Sequence, residues 1–176
     1  RYADLFFKVR DQFRSVVEDS LRRSLLYQTR QRHNDVTRNV DITFIWDPPS
    51  AQYSKEGEGR APVSLPGDAL DPLAAVFVVR TLDLAPGEKF SLLLVDGKRH
   101  GYSHLKVLQG KVIKTKAGKF PTIVVRPDLS RVNELFKKPK STFLKMWLSN
   151  DQRKLPIRFV TKVKWGSFRA ELVSIN

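Results

Sequence analysis

Cysteine is absent from the 176 residues. That removes disulfides, thiolate nucleophiles and cysteine metal sites together. No long apolar run exists either: the longest, Leu73 to Val79, falls far short of the roughly 20 residues a membrane-spanning helix needs. Glycine-rich phosphate loops are missing, since Gly57-x-Gly59 lacks the third glycine, the lysine and the strand-to-helix setting. There is no Gly-x-Ser-x-Gly elbow, repeat, low-complexity tract or coiled-coil heptad. Histidine occurs three times, and acidic residues are few in the second half. The chain opens at Arg1 with no Met and no signal-like stretch, already inside structured sequence at Leu5-Phe6-Phe7-Lys8-Val9. Upstream residues are therefore expected, and any export signal would lie among them.

What is present is a globular composition, 41% hydrophobic and 10% aromatic, of a length that suits one domain spanning residues 1–176. The net charge of +14 is lopsided. Residues 1–88 hold 12 Lys/Arg against 13 Asp/Glu, whereas residues 89–176 hold 20 against 5. A basic surface of that kind attracts acidic polymers or anionic head groups. It also serves as a solubilising exterior, with Lys on strands deterring edge pairing.

Hydropathy alternates with period two over most of the chain, as in strands with one buried face. The C-terminal stretch is clearest. Phe143–Leu148, Leu155–Lys164 and Phe168–Leu172 read as a meander, turning at 149–153 and at Trp165-Gly166-Ser167. Leu25–Asn34 and Val36–Trp46 form a hairpin around His33-Asn34-Asp35, because Asn and Asp tolerate the left-handed conformation of tight turns. A short strand crosses Ala51–Lys55, and Glu56-Gly57-Glu58-Gly59 turns. Leu5–Val17 fits a helical turn at first, then a strand from Phe13. Asp71-Pro72 starts the one convincing helix, with Leu73, Val76, Phe77 and Arg80 at helical spacing. It is apolar on most sides, so burial is expected. Phe90–Val95, Asp96-Gly97 and Tyr102–Leu108 make a second hairpin, Gly110 suggests a bulge, and Lys111–Thr115 and Phe120–Arg126 continue the β pattern. Residues 127–140 read as a loop with one short helical or irregular piece at 132–136. The fold expected is mainly β: a curved antiparallel sheet, or a barrel or half-barrel meander, of about nine or ten strands with one buried helix.

Several ordered features carry a resemblance. They are Leu5-Phe6-Phe7-Lys8-Val9-Arg10-Asp11 with Ser15, Asp71 ahead of the helix ending at Arg80, Pro86-Gly87-Glu88 and Gly118-Lys119-Phe120. The most specific are Met146-Trp147-Leu148-Ser149-Asn150-Asp151 with Leu155-Pro156-Ile157, followed by Gly166 to Leu172. Over nearly its whole length the chain resembles a bacterial family catalogued only as domain of unknown function 3108. The resemblance implies exported, β-rich envelope proteins of Gram-negative bacteria, periplasmic or envelope-associated, with further strands before the Leu-Phe-x-Val-Arg-Asp stretch. It assigns no catalytic residue.

Catalytic constellations fail one by one. His100 and His104 sit on a strand, which sets their Cα atoms roughly 13 Å apart, too far to share one ion. Ser15 lies between Asp11 and Asp19 with no His near it in sequence, which leaves only a tertiary triad with His33 to consider. Glu18 and Asp19 are neighbours on a strand and face opposite ways, and Arg10-Asp11 suits an ion pair or a turn cap. No enzyme, metal or cofactor is expected.

The basic residues are what remains: Lys111, Lys114, Lys116 and Lys119 around one turn, Arg158, Lys162 and Lys164 on one strand face, Lys145 and Arg169 on its neighbours, and a loop cluster of Lys137, Lys138 and Lys140. An apolar concave face is expected from Phe90, Leu92, Leu94, Leu155, Ile157, Phe159, Phe168 and Leu172. The leading reading is a non-enzymatic envelope protein that holds an anionic lipid, lipopolysaccharide-like ligand or polymer on that face, with the basic residues as its rim. The alternatives are a scaffolding subunit with envelope protein partners, and a nucleic-acid binder stacking bases on Tyr102, Phe120, Trp147, Trp165 and Phe168.

Overall fold

The computed structural model describes residues 9–34, 36–128, 143–163 and 166–175. The chain divides into two compact units, Arg1–Val78 with Leu93–His100, and Val79–Leu92 with Gly101–Asn176.

The first unit is built on an antiparallel sheet of β1 (Val9–Val17), β2 (Ser24–His33), β3 (Val36–Trp46), β4 (Pro49–Lys55) and β5 (Glu58–Gly59) in that order, with β6 (Val63–Ser64) also paired to β4. Period two decides its faces. Tyr27, Ile42 and Tyr53 stand in one cross-strand row, and Phe44 pairs with Ala51. Val40, Ile42, Phe44, Ala51 and Tyr53 are buried with Leu65, Ala69, Leu93 and Val95 as one core. Each large apolar side chain taken out of water there contributes about 1.5–3 kcal/mol. Asp41 points the other way and pairs with Arg30 at 2.7 Å. The β4–β5 turn places Glu56 and Gly57 at φ of 50° and 87°, the backbone a two-residue hairpin requires.

The helix α1 (Pro72–Val78) buries Ala74, Ala75 and Val78 and leaves Phe77 exposed, so it is buried on one side only. It is also shorter than its spacing predicts. The chain tightens to a 3-10 turn at Val79–Thr81. There Arg80 donates from Nε to the carbonyl of Lys154 and from Nη2 to that of Arg153, each at 3.0 Å.

The second sheet runs β14-β13-β12-β11-β8-β7. Its strands are β7 (Lys89–Val95), β8 (His100–Gln109), β11 (Thr122–Asp128), β12 (Phe143–Ser149), β13 (Pro156–Val163) and β14 (Gly166–Glu171). Between β8 and β11, β9 (Ile113–Thr115) and β10 (Gly118–Phe120) pair only with each other. The tip of the β7–β8 hairpin, 93–100, belongs to the first unit. Leu105, Val107, Ile123, Val125, Met146, Leu148 and Ile157 form the buried face of the second sheet.

Among the described residues, ten strands have six residues or more and four have two or three, so the expected number of strands and the mainly β class hold. Of the closures expected, the open antiparallel sheet is the one formed; no barrel closes among the described residues. Three expectations need correction. The first strand starts at Val9, not Phe13, because it pairs with β2 along its full length. The short strand expected over 51–55 starts earlier, at Pro49, which pairs with Trp46 after a turn at 47–48. Gly110 is not a bulge but a close approach. It follows the end of β8, and a Cβ there would lie 2.1 Å from the carbonyl oxygen of Thr122. The expected helical piece at 132–136 lies outside the described residues.

Candidate anion-binding face

Two polar clusters absorb the residues that look most like chemistry. The first centres on Asp71, which is fully buried at the start of α1. Its Oδ2 accepts the hydroxyls of Ser15 (2.6 Å) and Ser24 (2.7 Å). Its Oδ1 accepts the N–H groups of Leu73 (2.8 Å) and Ala74 (2.9 Å), and Ser24 Oγ accepts the Asp71 N–H at 2.9 Å. Burial, together with the charge of Asp71, pushes the Tyr27 phenol up to about 12. Ser15 therefore donates its hydrogen bond to a helix-capping carboxylate, an arrangement that orders the start of α1. The side chain of His33 lies outside the described set.

The second cluster is the β12–β13 turn. Asp151 Oδ1 accepts Ser149 Oγ at 2.7 Å and the N–H groups of Arg153 and Lys154 at 3.1 Å. Ser149 Oγ in turn accepts the Leu155 N–H at 2.8 Å. The Ser149 hydrogen bond, then Arg153 and the Lys154 N–H, hold the Asp151 carboxyl below its ordinary range. The Trp-Leu-Ser-x-Asp…Leu-Pro segment is thus a turn folded round one carboxylate.

The other acid–base residues are dispersed. Asp11 accepts from Gln31 Nε2 at 3.2 Å. His104 Nδ1 lies 2.7 Å from Ser91 Oγ on an exposed surface. Among the described residues, no three His, Asp or Glu come close enough to hold a metal.

The basic residues do converge. On β13 the side chains of Arg158, Val160 and Lys162 share the outer face, opposite to Ile157 and Phe159. Register then fixes the neighbours: Lys145 pairs with Val160 and Val160 with Arg169, while Trp147 pairs with Arg158 and Arg158 with Glu171. Farther along the sheet, Lys106 sits directly opposite Arg126 on the same outer face. The outer face so carries Lys106, Arg126, Lys145, Arg158, Lys162 and Arg169 against the carboxylates of Asp128 and Glu171. Arg158 Nε lies 2.7 Å from Glu171 Oε1, an ion pair without hydrogen-bond alignment. Lys106, Arg126, Lys162 and Arg169 are exposed, and Lys145 and Arg158 half-buried. Lys106 and Arg126 were not singled out from sequence. The signal was there, since 97–127 contain no acidic residue at all.

The lysines around the 116–117 turn form a separate group. Lys114 and Lys119 are directly opposite on the β9–β10 hairpin, with Lys116 at its tip and Lys111 before it, all exposed. Two like charges directly opposite on a ladder destabilise it unless an anion intervenes. Lys164, Lys137, Lys138 and Lys140 lie outside the described residues.

The residues expected to line an apolar face are placed differently from the basic set. Ile157, Phe159, Phe168 and Leu172 lie on the face opposite to Arg158, Lys162 and Arg169. Ile157 is fully buried, Phe90, Leu92, Leu94, Leu155, Phe159 and Leu172 half-buried, and Phe168 is 67% exposed at the edge. An open groove of about 390 Å³ lies on β1 and β2, bordered by Gln12, Phe13, Arg14, Gln28 and Arg30. Among the described residues, no helix is long and apolar enough to cross a membrane.

A family described as "Protein of unknown function (DUF3108)" matches residues 1–173. No curated protein and no solved structure matches the chain.

Proposed function

Taking as premise that the chain belongs to the DUF3108 family, whose description assigns no activity, we propose that it is a non-enzymatic, exported envelope protein that binds a phosphate-bearing envelope molecule on the basic outer face of its second sheet. The observation that carries this reading is the cross-strand placement of Lys106 against Arg126 and of Lys145 in row with Arg169. Like charges directly opposite on a sheet cost stability. An anion bridging them removes that cost and gains charge-assisted hydrogen bonds. Lys106, Arg126, Lys162 and Arg169 are exposed on this face, so it suits a head group or a polymer lying across strands. The envelope location is an expectation from the resemblance of the Leu-Phe-x-Val-Arg-Asp and Trp-Leu-Ser-x-Asp stretches to exported proteins.

Lipid head group and soluble polymer share the phosphate chemistry, and co-sedimentation separates them. The protein is offered vesicles with and without phosphatidylglycerol, and soluble polyphosphate, at about 50 mM and about 300 mM salt. The expected result is binding to at least one anionic probe that falls steeply with salt, and a loss of roughly tenfold or more in the Lys106→Glu/Arg126→Glu double variant. Vesicle binding alone identifies a head group, polyphosphate binding alone a polymer. Absence of binding to both at low salt, or indifference to the double reversal, overturns the reading.

Trp147 favours a second reading. It lies on the same face beside Arg158, and an aromatic among cations is a stacking platform for single-stranded nucleic acid. A gel shift with single-stranded RNA that Trp147→Ala abolishes while vesicle binding survives would establish it.

A further inference from the structure

We propose that the outer edge of β14 pairs antiparallel with the same edge of a second copy of this chain, about a two-fold axis through Ala170. Among the described residues, β14 ends its sheet, with β13 on one side and no strand on the other. Every residue from Gly166 to Glu171 is exposed. The backbone groups available for a further ladder follow from the existing one. The Leu172 N–H donates to the carbonyl of Ile157 at 2.9 Å, and Phe159 is opposite Ala170 in the same register. Antiparallel pairs alternate between bonded and non-bonded, so Leu172, Ala170 and Phe168 spend their backbone groups on β13. Ser167, Arg169 and Glu171 therefore direct theirs outward.

Self-pairing must match these outward residues with one another, which leaves few registers. Pairing Arg169 with Arg169, or Glu171 with Glu171, opposes like charges. The register between them sets Arg169 against Glu171 of the second copy, twice by symmetry. On the other face it sets Phe168 against Leu172 and Ala170 against Ala170. Phe168 is 67% exposed and gains an apolar neighbour. Glu171 already lies against Arg158, and would then stand between two guanidinium groups. Among the described residues flanking the edge, Ser167 meets Val173, which is 64% exposed. An isologous contact of this type closes after two copies and covers an edge that would otherwise remain open to unregulated pairing.

The absence of cysteine makes the test direct. In this register Ala170 faces its own copy in a non-bonded pair, the closer kind, within the reach of a disulfide after slight adjustment. Ala170→Cys is expected to cross-link under mild oxidation to a species of twice the 20.2 kDa chain mass. Arg169→Cys is expected to cross-link poorly. In sedimentation equilibrium, Arg169→Glu should raise the dimer dissociation constant roughly tenfold or more, since two attractive cross-strand pairs become repulsive. Arg169 faces Val160 within its own chain, so the fold, followed by circular dichroism, should be unaffected. A wild-type monomer at high micromolar concentration, or preferential cross-linking of Arg169→Cys, overturns the proposal.

Discussion

At the scale of single residues, carboxylates that look poised for chemistry are explained by hydrogen bonds. Asp71 caps α1 and collects two serine hydroxyls in a dry site. Replacing it with Ala removes the cap and strands the donors of Ser15 and Ser24. Caps contribute about 0.5–2 kcal/mol and an unpaired buried donor costs about 1–3 kcal/mol. Asp71→Ala is therefore expected to lose about 3 kcal/mol in urea unfolding, and Asp71→Asn less, since its amide oxygen can keep part of the cap. Asp151 gives a pH test. Its folded pKa lies below the ordinary value of 3.8, so the stability it contributes is present above that value. That stability is lost as pH falls through the depressed folded value. Asp151→Asn should consequently unfold at lower temperature than wild type at neutral pH, with the difference vanishing in strong acid. A gap that persists unchanged at low pH would show that the charge of Asp151 is not what holds the turn. The cap was readable from Asp71-Pro72. Its serine partners were not, because Ser15 and Ser24 are 56 and 47 residues away in the chain.

At the scale of elements, alternation placed the long strands well. The hairpin of β2 and β3, turning at Asn34 with φ of 53°, follows from sequence because both strands bury one face and the turn residues tolerate that backbone. The end of β8 did not follow. A glycine in a β pattern signals either a bulge or a close approach, and only the position of Thr122 decides between them. Gly110→Ala would drive a methyl group into the Thr122 backbone, where overpacking costs about 1–3 kcal/mol. A fall of several degrees in melting temperature is expected, and an unchanged melting curve would mean that the two segments can separate without cost. The helix shows the same limit. Its start is set locally by Asp71 and Pro72, while its end is set by Arg80 bonding to carbonyls more than seventy residues away.

At the scale of the whole molecule, charge is the dominant feature. A net charge of +14 produces a field that draws anions toward the protein from several ångströms. The sheet then orders part of that charge into rows. The same field opposes association of two copies, so the dimer proposed at β14 should strengthen when salt or a bound polyanion screens it. Sedimentation at two salt concentrations distinguishes this from a contact held by its ion pairs alone, which would weaken as salt rises.

Sequence alone determined the β class, the approximate number of strands, the helix start, the concentration of positive charge in the second half and the absence of thiol chemistry. Each is a local or additive property: period-two alternation, turn residues, capping or a simple sum of charges. Tertiary structure alone decided that, among the described residues, the strands form two open six-stranded sheets and the separate β9–β10 hairpin. It decided that Lys106 and Arg126 join the basic face, and that Ile157, Phe159, Phe168 and Leu172 lie on the side of the sheet opposite to Arg158, Lys162 and Arg169. Those outcomes depend on register between strands distant in the chain, and a shift of one residue would turn each side chain to the other face.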